Sequence, residues 1–127
     1  MKQNIIETKS FRFAIRIVNL YKYLCAEKKE YVMSKQVLRS GTSIGANVAG
    51  SQQAQSRPDL IAKLSIALKE TTETKYWMRL LNSTDYLMES EFTSLIADCN
   101  ELEKLLVTIL RTTKQNKFSI FNFQFSI

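Results

Sequence analysis

Glu70 and Glu73 stand about one helical turn apart, and Arg39 lies across a turn from them. In an antiparallel helical hairpin centred near Ser56, residues equidistant from the turn share one level. Arg39 is 17 residues before that centre and Glu73 is 17 after it. Thr42 and Glu70 are each 14 away, with Ser43 adjacent. Arg39, Ser43, Asn47, Glu70 and Glu73 are therefore expected to form one polar cluster. Two chemistries compete for it. A carboxylate pair can do acid–base work. The same residues can instead form an ion-pair and hydrogen-bond network that fixes helix register. The network is favoured, because both carboxylates come from one helix. Iron sites in helical bundles need more carboxylates and Glu-x-x-His motifs, and the chain has no histidine.

That missing residue type also removes Ser-His-Asp and Cys-His nucleophilic sites and histidine general bases. No catalytic residue, metal ligand or cofactor site is assigned, and no enzyme is expected. Cys25 and Cys99 are the only cysteines. Both fall in helical apolar stripes and read as reduced core thiols, not as a disulfide or a zinc site. The segment Gly41–Asn47, GTSIGAN, lacks the lysine and the spacing of a phosphate-binding loop.

The net charge of +6 and a pI near 9.4 suit an acidic partner such as nucleic acid. The same charge also serves plain solubility. Arg12 and Arg16, one turn apart on helix one, are the first candidate phosphate contacts. Lys75 and Arg79, at the same spacing on helix three, are the second. Lys63 and Lys69 are weaker candidates. Trp77 beside Tyr76 has the chemistry to stack on a base, although a tryptophan on a packed helix is more often core or interface.

These residues need long helices to position them. The 127 residues make one ordinary domain, 45% hydrophobic and 24% charged, with three glycines and one proline. Too few turn formers are present for a β-sandwich. No apolar run reaches the length of a membrane span, and the N-terminus lacks the apolar stretch of a signal peptide, so a cytoplasmic protein is expected. Helix one is read from about Ser10 to Ala26, with Ser10 or Thr8 as cap. Its polar stripe of Arg12, Arg16, Asn19 and Tyr23 is narrow, leaving an apolar arc of about 220° where one core needs roughly 100° or more. That excess calls for a second burial surface, such as another subunit. The segment AEKKE reads as a solvated loop.

Helix two is read from about Ser34 to Gln55, with Gly41 and Gly45 marking a close helix approach. Ser56, Arg57, Pro58 and Asp59 start helix three, Ser56 and Asp59 resembling a capping box and the proline suiting a first turn, and the helix is read to about Leu81. Helix four ends near Thr113, its apolar residues spaced by three and four as in a bundle seam. The fold expected is an all-α, antiparallel up-down four-helix bundle over residues 1–117. The tail, residues 118–127, alternates Phe121, Phe123 and Phe125 as a strand does.

Four segments together resemble a known family: KSFRFAIRIVNLYKYL, LRSGTSIGANV, AKLSIALKETTETKYWMRLL and the leucine-rich last helix. The chain resembles the bacterial four helix bundle proteins, also called intervening-sequence proteins of large-subunit ribosomal RNA, over about residues 5–114. The resemblance implies a bundle that assembles as a homopentamer. A related branch contains the accessory proteins of diversity-generating retroelements, basic pentameric barrels that bind a reverse transcriptase and nucleic acid. RNA, or a reverse-transcriptase-like nucleoprotein, is thus the implied partner, and a protein-binding scaffold the alternative. One departure is Gly50, near which the family commonly carries an acidic residue.

Overall fold

The computed structural model describes residues 2–115, and the side chains of residues 5–115. Four helices follow in order: α1 (Lys2–Ala26), α2 (Met33–Ser51), α3 (Arg57–Ser83) and α4 (Glu89–Gln115). There is no strand among the described residues. Each helix packs on the next, and α1 closes back on α4 through a sparser seam. The directions alternate. Going along α1, a Cβ at Gly45 would meet Ser10, and one at Gly41 would meet Ile17, while Cys25 lies beside Ser34. The numbers run in opposite senses, as an antiparallel pair requires.

The core is drawn from all four helices, with Phe13, Ile17, Ile44, Leu64, Met78 and Leu102 among its enclosed side chains. Burial of such apolar surface is the main stabilising term. Helix α1 begins well before Ser10, which corrects the capping expectation. Ile6 is fully buried and anchors an additional upstream turn. Ser10 sits inside the helix, where its hydroxyl donates to the Glu7 carbonyl at 3.2 Å.

Helix α2 starts differently from the solvated loop read at AEKKE. The Glu30 carboxylate is buried and accepts from the backbone amides of Val32, Met33 and Ser34 at 3.1, 2.9 and 2.7 Å. It thereby satisfies three donors that a helix start otherwise leaves open, and it places negative charge at the positive end of the helix dipole. The chain reaches this position through Lys29, whose φ of 54° is left-handed. Helix α2 stops at Ser51, earlier than Gln55, because Gln52, Gln53 and Ala54 each bond three residues back, tightening the last turn. Ser56 then caps α3, its hydroxyl accepting from Asp59 N at 3.2 Å, with proline in the first turn. The tail over residues 118–127, and its boundary at 117, lie outside the described residues.

Candidate nucleic-acid interface

The α2–α3 hairpin brings part of the expected polar cluster together. Arg39 Nη1 donates to Glu70 Oε2 at 3.3 Å, and Nη2 donates to Glu73 Oε2. These bonds, that to Glu73 first, raise the guanidinium's pKa above its ordinary value. The Arg39 side chain is 50% exposed and that of Glu70 only 9%. Glu70 Oε1 is buried and has no hydrogen-bond partner among the described residues. Ser43 and Asn47 do not cross to the carboxylates. Asn47 Nδ2 instead donates to the Ser43 carbonyl of its own helix at 2.9 Å. Both are short side chains at the edge of the face that buries Ile44 and Val48, whereas Arg39 has the length to reach over. The residues that do meet inside the hairpin are Ser40 and Thr74, whose hydroxyls lie 3.0 Å apart and are fully buried.

This geometry ties α2 to α3. Arg39→Ala leaves a buried carboxylate without its cation, which costs several kcal/mol in a dry site and under about 1 in a wet one. With one partner half-exposed, we expect a loss of about 1–2 kcal/mol. Arg12→Ala, on open surface, should stay within about 0.5. Chemical denaturation of the two variants checks this, and equal midpoints would remove the stabilising role of the pair.

The four candidate cations divide into two kinds. Arg16 bridges α1 to α4, Nη1 meeting Asp98 and Nη2 meeting Glu91, each at 2.8 Å. Lys75 bridges α3 to α4, its Nζ 2.8 Å from Glu103 and 3.2 Å from Asn100 Oδ1. Arg16 and Lys75 are thus engaged within the bundle, and each proposed pair is split. Arg12 and Arg79 are exposed and enter no salt bridge among the described residues. Of the weaker candidates, Lys63 pairs with Asp59 at 2.7 Å and Lys69 is exposed.

The charge is not spread evenly along the bundle. One half holds the start of α1, the end of α2, the start of α3 and the end of α4. Its segments 5–13, 43–69 and 100–115 carry eight bases and four acids. The remaining segments, 14–42 and 70–99, carry eight bases and eight acids. The described side chains therefore hold their whole positive excess in one half. Its densest stretch is the end of α4, where Lys104, Arg111 and Lys114 are exposed and no acid follows Glu103.

The cysteines are Cys25, half-buried, and Cys99, buried. Both are free thiols, and burial pushes the Cys99 thiol up to about 12, which keeps it protonated near neutrality. A cavity of about 380 Å³ opens where α1 meets the start of α4, floored by Leu20, Leu87 and Leu95 and rimmed by Arg16 and Glu91. No cluster of three metal-ligating side chains occurs among the described residues, and no helix among them is long and apolar enough to cross a membrane.

Residues 2–108 match the family described as 23S rRNA-intervening sequence protein. Among curated proteins, none matches the chain. Among solved structures, the chain is similar to a crystal structure from Bacteroides thetaiotaomicron VPI-5482, described as a protein with unknown function from the S23 ribosomal protein family. The two are 56% identical over 88% of this chain and 100% of that one, with a TM-score of 0.87. With the helices, the sequence segments and the match over nearly its whole length in agreement, the chain belongs to the 23S rRNA-intervening sequence protein family.

Proposed function

We propose that this protein is a non-enzymatic, basic helical-bundle module that assembles with copies of itself and binds RNA through phosphate contacts. The observation that carries the reading is the unbalanced half of the bundle, with eight bases against four acids. Charge kept only for solubility has no reason to collect at one end, whereas a polyanion is drawn to such a collection. The family description, which names ribosomal RNA, supports RNA over other polyanions. In that half Arg12 joins Lys104, Arg111 and Lys114 as an available contact; Arg79, also available, lies in the balanced half, and Arg16 and Lys75 serve the bundle. A closed ring, of five subunits as the family resemblance implies, repeats each weak contact around its axis and gains by multivalency.

The test compares two triple variants with equal loss of charge. Lys104→Gln, Arg111→Gln and Lys114→Gln should weaken binding to a structured RNA by about tenfold or more. They should also flatten the dependence of log affinity on log salt by about 2, since each neutralised phosphate releases counterions. Lys22→Gln, Lys28→Gln and Lys35→Gln, exposed residues of the balanced half, should leave affinity within about threefold. Absence of binding by the unaltered protein at low salt leads to the other reading, a protein-binding scaffold in which two of the four candidate cations already have acidic partners.

A further inference from the structure

We infer that the outer face of α3 is a stacking platform for an unpaired RNA base, with Tyr76 as the platform and Lys69 and Arg79 as flanking phosphate contacts; this rests on the RNA-binding reading above. Lys69, Thr72, Tyr76 and Arg79 are all exposed, and their spacing of three, four and three puts them on one side of the helix. Tyr76 is 53% exposed. At 1.5 Å per residue, Lys69 lies about 10 Å before it along the axis and Arg79 about 4.5 Å after it.

The ion pairs of α3 clear this face of competing charge. Glu73 is drawn toward α2 by Arg39, and Lys75 toward α4 by Glu103. What stays outward is a phenol ring between two cations that enter no salt bridge among the described residues. The ring is also held in place. It meets Trp77 in an edge-on pair, centroids 5.0 Å apart and planes at 78°, while Trp77 packs against the core. A fixed ring loses little freedom when a base stacks on it, and stacking tolerates any base because every base has a π-face. An acidic peptide would use the two cations but gain little from the ring, and a closed duplex keeps its bases stacked inside. Unpaired RNA uses both features. Trp77, beside Tyr76, is set back as part of the wall behind the platform.

The experiment measures anisotropy of a fluorescein-labelled single-stranded oligoadenylate and of a blunt RNA duplex of equal length. Tyr76→Ala should weaken the single strand about 5- to 100-fold and the duplex less than about threefold. Tyr76→Phe, which keeps the ring, should bind the single strand within about threefold of the unaltered protein. Binding of the single strand should also change the emission of Trp77, the chain's one tryptophan, and Tyr76→Ala should reduce that change. Single-strand binding unaffected by Tyr76→Ala, or a loss caused equally by Tyr76→Phe, overturns the platform. So does a Tyr76→Ala variant whose assembly mass changes, because the ring would then be a subunit contact. If the unaltered protein binds RNA and only Tyr76 proves irrelevant, this inference alone fails; if it binds neither probe, the RNA reading fails with it.

Discussion

Gly41→Ala should destabilise the bundle by about 1–3 kcal/mol, although alanine normally gains about 1 kcal/mol over glycine inside a helix. A Cβ at Gly41 would stand 2.7 Å from Ile17 Cγ1 and 2.9 Å from its Cγ2. Those atoms sit close to the backbone of a fully buried, β-branched side chain, which has essentially one rotamer in a helix and cannot swing aside. The overlap must be relieved by pushing α1 from α2. Gly50 is the natural control. A Cβ there would lie 3.5 Å from the flexible end of Lys63, an ordinary contact, so Gly50→Ala should be neutral or stabilising by up to about 1 kcal/mol. Thermal melts should show the two variants moving in opposite directions, Gly41→Ala downward by roughly 5–15 °C. A Gly41→Ala protein as stable as Gly50→Ala would contradict the close approach of the two helices.

The second large effect concerns assembly. Phe11 is 67% exposed and Ile15 is 49% exposed, one turn apart on the face of α1 opposite Phe13 and Ile17. Neighbouring outward side chains on this face lose much of their apolar area only if another molecule covers them. The double substitution Phe11→Asp and Ile15→Asp places two charges in the proposed contact and should convert the proposed oligomer to the 14.7 kDa monomer. It should cost each folded chain little, about 1 kcal/mol or less, since both positions face solvent. Light scattering at micromolar concentration checks the mass and circular dichroism the fold. An unchanged mass would remove α1 as the subunit contact.

Local geometry was legible in the sequence to the extent that a turn supplied an origin for counting. Arg39 and Glu73 are equidistant from the α2–α3 turn, Glu70 is one turn nearer to it, and the structure pairs Arg39 with both. The same count puts Ser43 beside the level of Glu70 without showing that its side chain is too short to cross, and it puts Asn47 opposite Ser65, more than a turn from either carboxylate. It also passed over Ser40 and Thr74, because a serine and a threonine in helix interiors give no signal of burial. The Arg16 bridge was invisible for a different reason: Glu91 and Asp98 lie on α4, across a seam with no connecting turn. In the sequence Glu30 reads as part of the solvated segment AEKKE, yet the structure buries it. Its position four residues before Ser34, at the start of an apolar pattern, is a usable sign of a carboxylate aimed at a helix N-terminus. The wide apolar arc of α1 was legible directly, and it corresponds to Phe11 and Ile15 on the outside. The concentration of charge in one half was not, because it emerges only when four antiparallel segments are set side by side.

Sedimentation velocity of the unaltered protein with a fluorescein-labelled structured RNA, at about 50 mM and about 300 mM salt, decides whether the bundle assembles and binds RNA through phosphate contacts. At low salt the RNA should travel with an assembly whose protein mass is a multiple of 14.7 kDa, five copies being the expected number. At high salt the RNA should be released while the protein assembly persists, since phosphate contacts are screened and the apolar subunit contacts are not. RNA that sediments alone at low salt, or a protein that sediments as a monomer, would contradict it.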